Sequence, residues 1–277
     1  MSEPIFFFEG DDPAMRQAYE AAQRSFKFFW RELSWERRRI VPALDMTIIK
    51  TPFTDGPRSD GNPEHEQMWL DEVEFDGTDL AGVLLNSPNW LTSVKQGDAV
   101  RVPFSRLTDW MMTADGKAYG GYTVNLMRSR MSTRERKAHD EAWGLDFGDP
   151  NQIKIELSRE RQSKPGLLSK LRRRKSATES DGQEVFADHP MCVNMLPKIE
   201  SQLQEDSSIA TSTDERGWTL LHSEAMAGNF GVVKLLVRYR ANIGAKTPNG
   251  KDAAELARGI GWDEIAAYLE ENSGQNS

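Results

Sequence analysis

The C-terminal part of this chain is self-similar at a spacing of 33 residues, and that period constrains the fold more than any other feature. Gly217 pairs with Gly250 and Gly228 with Gly261, while Val233 pairs with Ala266 and Leu236 with Leu269. A unit this short cannot bury its own apolar side chains, so copies must stack on one another or on something else. Each unit reads as two short helices. In the first, Trp218-Thr219-Leu220-Leu221-His222 makes a turn and opens a helix that ends at Gly228-Asn229. Val232-Val233-Lys234-Leu235-Leu236 forms the second helix, and Ala241-Asn242-Ile243 leads out through a finger. A glycine at the end of the first helix suits the left-handed turn required there.

This pattern resembles the ankyrin family, whose period is 33 and whose signature is T-P-L-H-x-A. Leu220 replaces the proline and Glu224 the packed alanine, and in the second copy Asp252 and Glu255 stand for the threonine and histidine. Glu224 and Glu255 read best as members of a solvated face. Two repeats fall short of the three or so a free-standing array needs. Residues 214–277 are taken as the two repeats. Residues 189–213, where Leu203 is in register with Leu236, are taken as a degenerate capping half-repeat. Such an array has to dock on the rest of the chain or on a partner. The resemblance implies protein binding through fingers and helices, with Trp218, His222, Glu224, Asn229, Arg240, Asn242, Lys246 and Asn249 as the candidate contacts.

Charge divides the rest of the chain. The net charge of −8 resolves into −7 over residues 1–150, +7 over 151–176 and −8 over 177–277. The cationic stretch contains Lys164-Pro165-Gly166 and Leu167-Leu168-Ser169-Lys170-Leu171-Arg172-Arg173-Arg174-Lys175, followed by the polar Ser176 to Gly182. Residues 151–188 therefore read as a basic, then polar, linker. No apolar run is long enough to span a bilayer, and the N-terminus lacks the basic region of a secretory signal. The single Cys192 and four histidines supply no structural zinc set, so no metal or cofactor is expected, and the cytoplasm is the expected compartment.

Residues 1–150 read as an α+β domain. Asp12 caps a helix with Pro13 in its first turn, and Met15, Ala22, Phe26, Phe29 and Leu33 follow at helical spacing. Strands are expected at Met46 to Lys50, Trp69 to Phe75, Leu80 to Leu85, Ala99 to Phe104 and Ala118 to Leu126. No long helical pattern separates them, so the sheet should be mostly antiparallel. Ser132 and Glu135 make a capping box for a last helix, which Gly144 ends.

An ordered set of motifs carries a second resemblance. It comprises Gly61-x-x-Glu64-His65-x-x-x-Trp69, Gly82-x-x-x-Asn86-x-Pro88, Gly97-Asp98-x-Val100, Asp109-Trp110, Gly120-Gly121-Tyr122-Thr123, and the run His139 to Pro150. Together these resemble the bacterial domain of unknown function 2314, or YegJ-like family. That family has no established reaction, so the resemblance implies a bacterial origin and little chemistry. His65, Trp69, Asn86, Asp109, Trp110, Tyr122 and His139 are the candidate pocket residues.

Three functions compete. The first is a non-catalytic protein-binding protein, in one form an immunity-like neutraliser that occludes a partner protein through the array and the acidic N-terminal domain. The second is a hydrolase-like enzyme using a His/carboxylate site, because a histidine oriented by a carboxylate can do acid–base work. The third is tethering to nucleic acid or an anionic membrane through residues 164–175. Binding of a protein partner is the leading expectation.

Overall fold

A computed structural model describes residues 12–157 and 187–274. The basic stretch 164–175, with its tethering reading, lies outside the described residues. Helix α1 (Pro13–Glu36) starts where local chemistry dictates, with the Asp12 carboxylate accepting the Ala14 N–H at 2.9 Å. It presents Ala22, Phe26, Phe29 and Trp30 to a six-stranded sheet. The strands are β1 (Met46–Phe53), β2 (Glu66–Phe75), β3 (Asp79–Leu84), β4 (Ala99–Pro103), β5 (Asp109–Ala114) and β6 (Lys117–Gly120). Their order is β4-β3-β2-β1-β5-β6 and every neighbouring pair is antiparallel. The N-terminal part is thus α+β, as the alternating patterns predict.

Two strand assignments differ from expectation. Asp109 to Ala114 is a strand that the period-2 pattern does not reveal, because all six of its residues are buried. A strand covered on both faces loses the alternation that marks a half-exposed one. Ala118 to Leu126 is not one strand. The chain leaves β6 at Gly120, turns through Gly121, and enters helix α2 (Tyr122–Arg130); both glycines have positive φ. Asp109 anchors that helix from a distance, its carboxylate accepting the N–H groups of Tyr122 (2.9 Å) and Thr123 (2.8 Å). Helix α3 (Thr133–Trp143) follows with the expected capping box and a left-handed Gly144 at its end.

The C-terminal part is all-helical: α4 (Pro190–Glu205), α5 (Leu220–Met226), α6 (Phe230–Arg238), α7 (Ala253–Ile260) and α8 (Asp263–Ser273). The pairs α5/α6 and α7/α8 repeat the sequence period, and Leu221, Ala225, Val233, Leu236, Leu256 and Leu269 bury the shared core. Helix α4 packs on α6, with Cys192 and Leu203 buried.

The two parts share one hydrophobic core, and α1 is the element between them. Its sheet side carries Phe26 and Phe29. On another side, Phe28 meets Trp262 edge-on at 5.7 Å, and Lys27 and Arg31 stack over the Trp262 ring at 4.8 and 5.1 Å. Lys27 also donates to the carbonyl of Gly261 at 3.0 Å. The turn between β2 and β3 docks too: Gly77 has φ 85°, which favours glycine, and a Cβ there would lie 2.2 Å from a Leu256 methyl, which would have to shift. Residues 151–157, at the start of the expected linker, are held as well. Ile155 and Leu157 pack on the core, and Lys154 accepts the Gly120 N–H through its carbonyl.

Candidate functional site

The candidate residues of the array divide into a sealed group and an open one. Trp218, His222, Glu224 and Asn229 are all buried. His222 accepts the Thr219 N–H at Nδ1 (3.0 Å), and its Nε2 meets the Ala245 carbonyl at 2.9 Å. That pairing places the proton of the neutral ring on Nε2 and ties the first turn to the next finger. Burial lowers the pKa of His222 below its ordinary value near 6.5.

Glu224 and Asn229 form the polar centre of the seam with α1. Trp35 donates its indole N–H to Asn229 Oδ1 at 3.0 Å, and Asn229 donates through Nδ2 to Glu224 Oε2 at 2.6 Å. Arg38 closes the chain on Glu224 Oε1 at 2.8 Å. The solvated face expected for Glu224 is therefore absent: this carboxylate is at the docking surface of α1, where a guanidinium and an amide offset its desolvation. A second tie lies alongside. His189 Nε2 is 3.0 Å from Glu32 Oε1, both side chains are buried, and the imidazole stacks on Trp35.

The open group lies on the finger side. Arg240, Asn242, Lys246 and Asn249 are exposed. Lys246 bridges Asp252 (2.8 Å) and Glu255 (2.9 Å), so the two acids that replaced the family's threonine and histidine hold a finger lysine. Asn249 reaches across to Asp76 of the β2–β3 turn at 3.1 Å.

The N-terminal candidates are not brought together. His65 is half-exposed at the start of β2, beside Glu64 at 4.0 Å. His139 lies on α3, 3.0 Å from Asp140 and packed against Trp143 and Phe147. Asp109 and Tyr122 do meet, through the α2 cap, in the interior. There the Asp109 carboxylate also accepts Thr123 Oγ1–H at 2.6 Å. Burial raises the pKa of Asp109, opposed by the charge of Lys50 and by the Thr123 hydrogen bonds. Trp110 donates its indole N–H to the Ala22 carbonyl at 3.0 Å. Trp69 is buried under the Lys50 ammonium, 4.4 Å from its ring centre. Asn86 accepts the Trp69 N–H at 3.1 Å and thereby positions the loop after β3. These partners are helix caps, core contacts and loop ties. Cys192, buried beside Asp188, has its thiol pushed up to about 12 by burial first and by the neighbouring carboxylate second. Among the described residues, no group of three or more His, Cys, Asp or Glu side chains is placed to hold a metal ion. No described helix is long and apolar enough to cross a membrane.

Comparison with known proteins agrees with this architecture. Residues 12–147 match the family described as "Uncharacterized protein conserved in bacteria (DUF2314)". A Neisseria meningitidis serogroup B protein named "Putative ankyrin repeat protein NMB1133/NMB1171" is 40% identical over 266 residues, covering 96% of each chain. The chain belongs to one family with this full-length relative, and its residues 12–147 are a DUF2314 domain. The ankyrin name of that full-length relative accords with the helical repeats of the C-terminal part. "Uncharacterized protein YegJ" of Escherichia coli is 33% identical over 81 residues, 29% of this chain and 49% of its own length.

A cavity at the corner of α1 and β1, lined among others by Glu36, Leu44, Met46, Asp71 and Leu85, has no signal in the sequence: it is formed by the end of one element, the start of another and a bulge in a third, which share no local pattern.

Proposed function

We propose that this DUF2314 protein is a non-catalytic binding protein that captures another protein. One observation carries the reading: Arg240 and Asn242 stand in solvent on the finger edge of an array whose inner polar contacts are already filled by α1. A rigid scaffold with an unfilled polar edge suits recognition rather than chemistry. The name of the Neisseria relative supports an interaction role in general. In this reading residues 1–150 and 214–277 are the two binding units, and 151–188 is the covalent link between them.

The more specific form is immunity-like neutralisation, in which the protein occludes a partner by surface complementarity. The net charge of −8 supports a basic partner, since opposite charge speeds association. The test is photocross-linking in the native cell, with a photoreactive side chain at Asn242 or at Arg240. A discrete adduct with one protein, lost when the chain is denatured before irradiation, is the expected result. The absence of any specific adduct from both positions overturns the reading.

A further inference from the structure

Four large apolar side chains are exposed among the described residues: Ile40, Val41, Leu85 and Val193, with Ile40 99% and Val41 76% exposed. Leu85 is on the wall of a cavity, and Ile40 and Val41 belong to the loop that leads into it. The cavity is open, about 300 Å³ in volume, and Leu44, Met46 and Ile48 line it as well. Monomeric proteins seldom leave adjacent aliphatic side chains in water unless a partner covers them.

The rim of this cavity is acidic. Glu36, Asp45, Asp71 and Glu72 line it, and none of its lining residues is basic. Glu36 is held by Arg39 at 2.8 Å and by the Ala43 N–H at 2.9 Å. Asp71 and Glu72 make no side-chain hydrogen bond or ion pair among the described residues. They sit where the β2–β3 register shifts, with Glu72 at φ 49°. The bulge re-aims the strand at this point and brings two acids to the cavity mouth.

An apolar hollow ringed by four carboxylates, of which Glu36 has a cationic partner, selects its occupant by charge. Phosphate-bearing partners are repelled, which excludes nucleic acid and anionic membranes. A second copy of the chain would set these carboxylates against their own equivalents. The complementary surface is an aliphatic side chain bracketed by lysines or arginines. We propose that this corner is the docking site for a cationic amphipathic segment of a partner protein, its aliphatic side chain in the cavity and its basic groups on Asp71, Glu72 and Asp45. This rests on the reading of the chain as a binding protein, and it names the partner's chemistry.

The test uses the full chain and a fluorescent amphipathic peptide of leucines and lysines, titrated by anisotropy at physiological salt. Two variants address the two halves of the site separately: Ile40→Ser with Val41→Ser, and Asp71→Asn with Glu72→Gln. A control, Glu20→Gln with Glu264→Gln, removes the same charge from exposed positions elsewhere. Each site variant should weaken binding about tenfold or more, and the control less than about twofold, with unchanged melting temperatures. Backbone amide shifts on peptide addition should fall at residues 36–48, 71–72 and 85. Equal weakening by the control, an unaffected Ile40/Val41 variant, or shifts centred on the fingers overturns the inference. So does a concentration-dependent dimer abolished by the Ile40/Val41 substitutions, which would make a second copy the occupant. A discrete adduct from Asn242 alongside unimpaired cavity variants leaves the binding-protein reading standing and removes this one alone.

Discussion

Arg38, in the turn that follows α1, reaches Glu224 of the first repeat at 2.8 Å, and the Glu224 side chain is only 2% exposed. A carboxylate sunk to that depth depends on its partners. Glu224→Ala removes the acceptor of both Arg38 and the Asn229 amide, and should cost about 2–4 kcal/mol in chemical denaturation. Arg38 is about one-third exposed. Its coupling to Glu224 in a double-mutant cycle should therefore be smaller, about 1 kcal/mol. Because the pair joins the two parts, the native chain should unfold in one transition, and the Glu224→Ala variant in two resolved by circular dichroism.

Gly120 and Gly116 offer a matched pair. Both have positive φ, but a Cβ at Gly120 would lie 2.4 Å from the Trp110 carbonyl oxygen, whereas at Gly116 it meets nothing within 4 Å. Gly116→Ala should lose about 1 kcal/mol, the cost of the left-handed backbone alone. Gly120→Ala must also displace a β5 carbonyl and its neighbouring indole, and should lose about 3 kcal/mol or more. Urea denaturation of the two variants side by side measures the difference.

His222 makes stability depend on pH. Its folded pKa lies below the ordinary value near 6.5, so the unfolded chain binds the proton more readily than the native one. The contribution is complete above about 6.5 and is lost as the pH falls toward the folded pKa. Urea midpoints measured between pH 7 and pH 5 should decline in the native chain. His222→Asn should flatten the part of that decline that begins near 6.5, while the lower part, owed to carboxylates, persists.

Cys192 reports on the contact between α4 and α6. With its pKa pushed up to about 12, against an ordinary value of 9, the folded thiol should react with a disulfide reagent at pH 8 roughly a thousandfold more slowly than in the unfolded chain. Asp188 accepts from Cys192 and also from the Gly231 N–H at 2.9 Å. Asp188→Asn should speed labelling by loosening that contact, and stopped-flow absorbance would record it.

The features legible in the sequence were those set by neighbours along the chain. Asp12-Pro13 opens α1, Ser132 and Glu135 box α3, and the 33-residue period gives the stacked pairs α5/α6 and α7/α8. What escaped was set by distance. Trp35 and Asn229 are 194 residues apart, so nothing local marks either as part of a seam. Asp109, read as a candidate pocket residue, stands 14 residues before the Thr123 amide that it caps. That distant cap, with the paired glycines, turned an expected strand into α2. Glu224 was misread as solvated because its burial comes from α1, an element outside the repeat.

Helix α1 serves as the inner wall of both halves, and that has a consequence for how such proteins diverge. A repeat array borrowed from another chain would arrive without an asparagine to receive Trp35 or a carboxylate to receive Arg38. A borrowed α+β domain would arrive without the aromatic and cationic side chains that clasp Trp262. In this chain the halves are therefore coupled, and drift on either side of α1 must be answered on the other. The Neisseria relative, aligned over 96% of its length, is one in which both sides of α1 are present to answer each other.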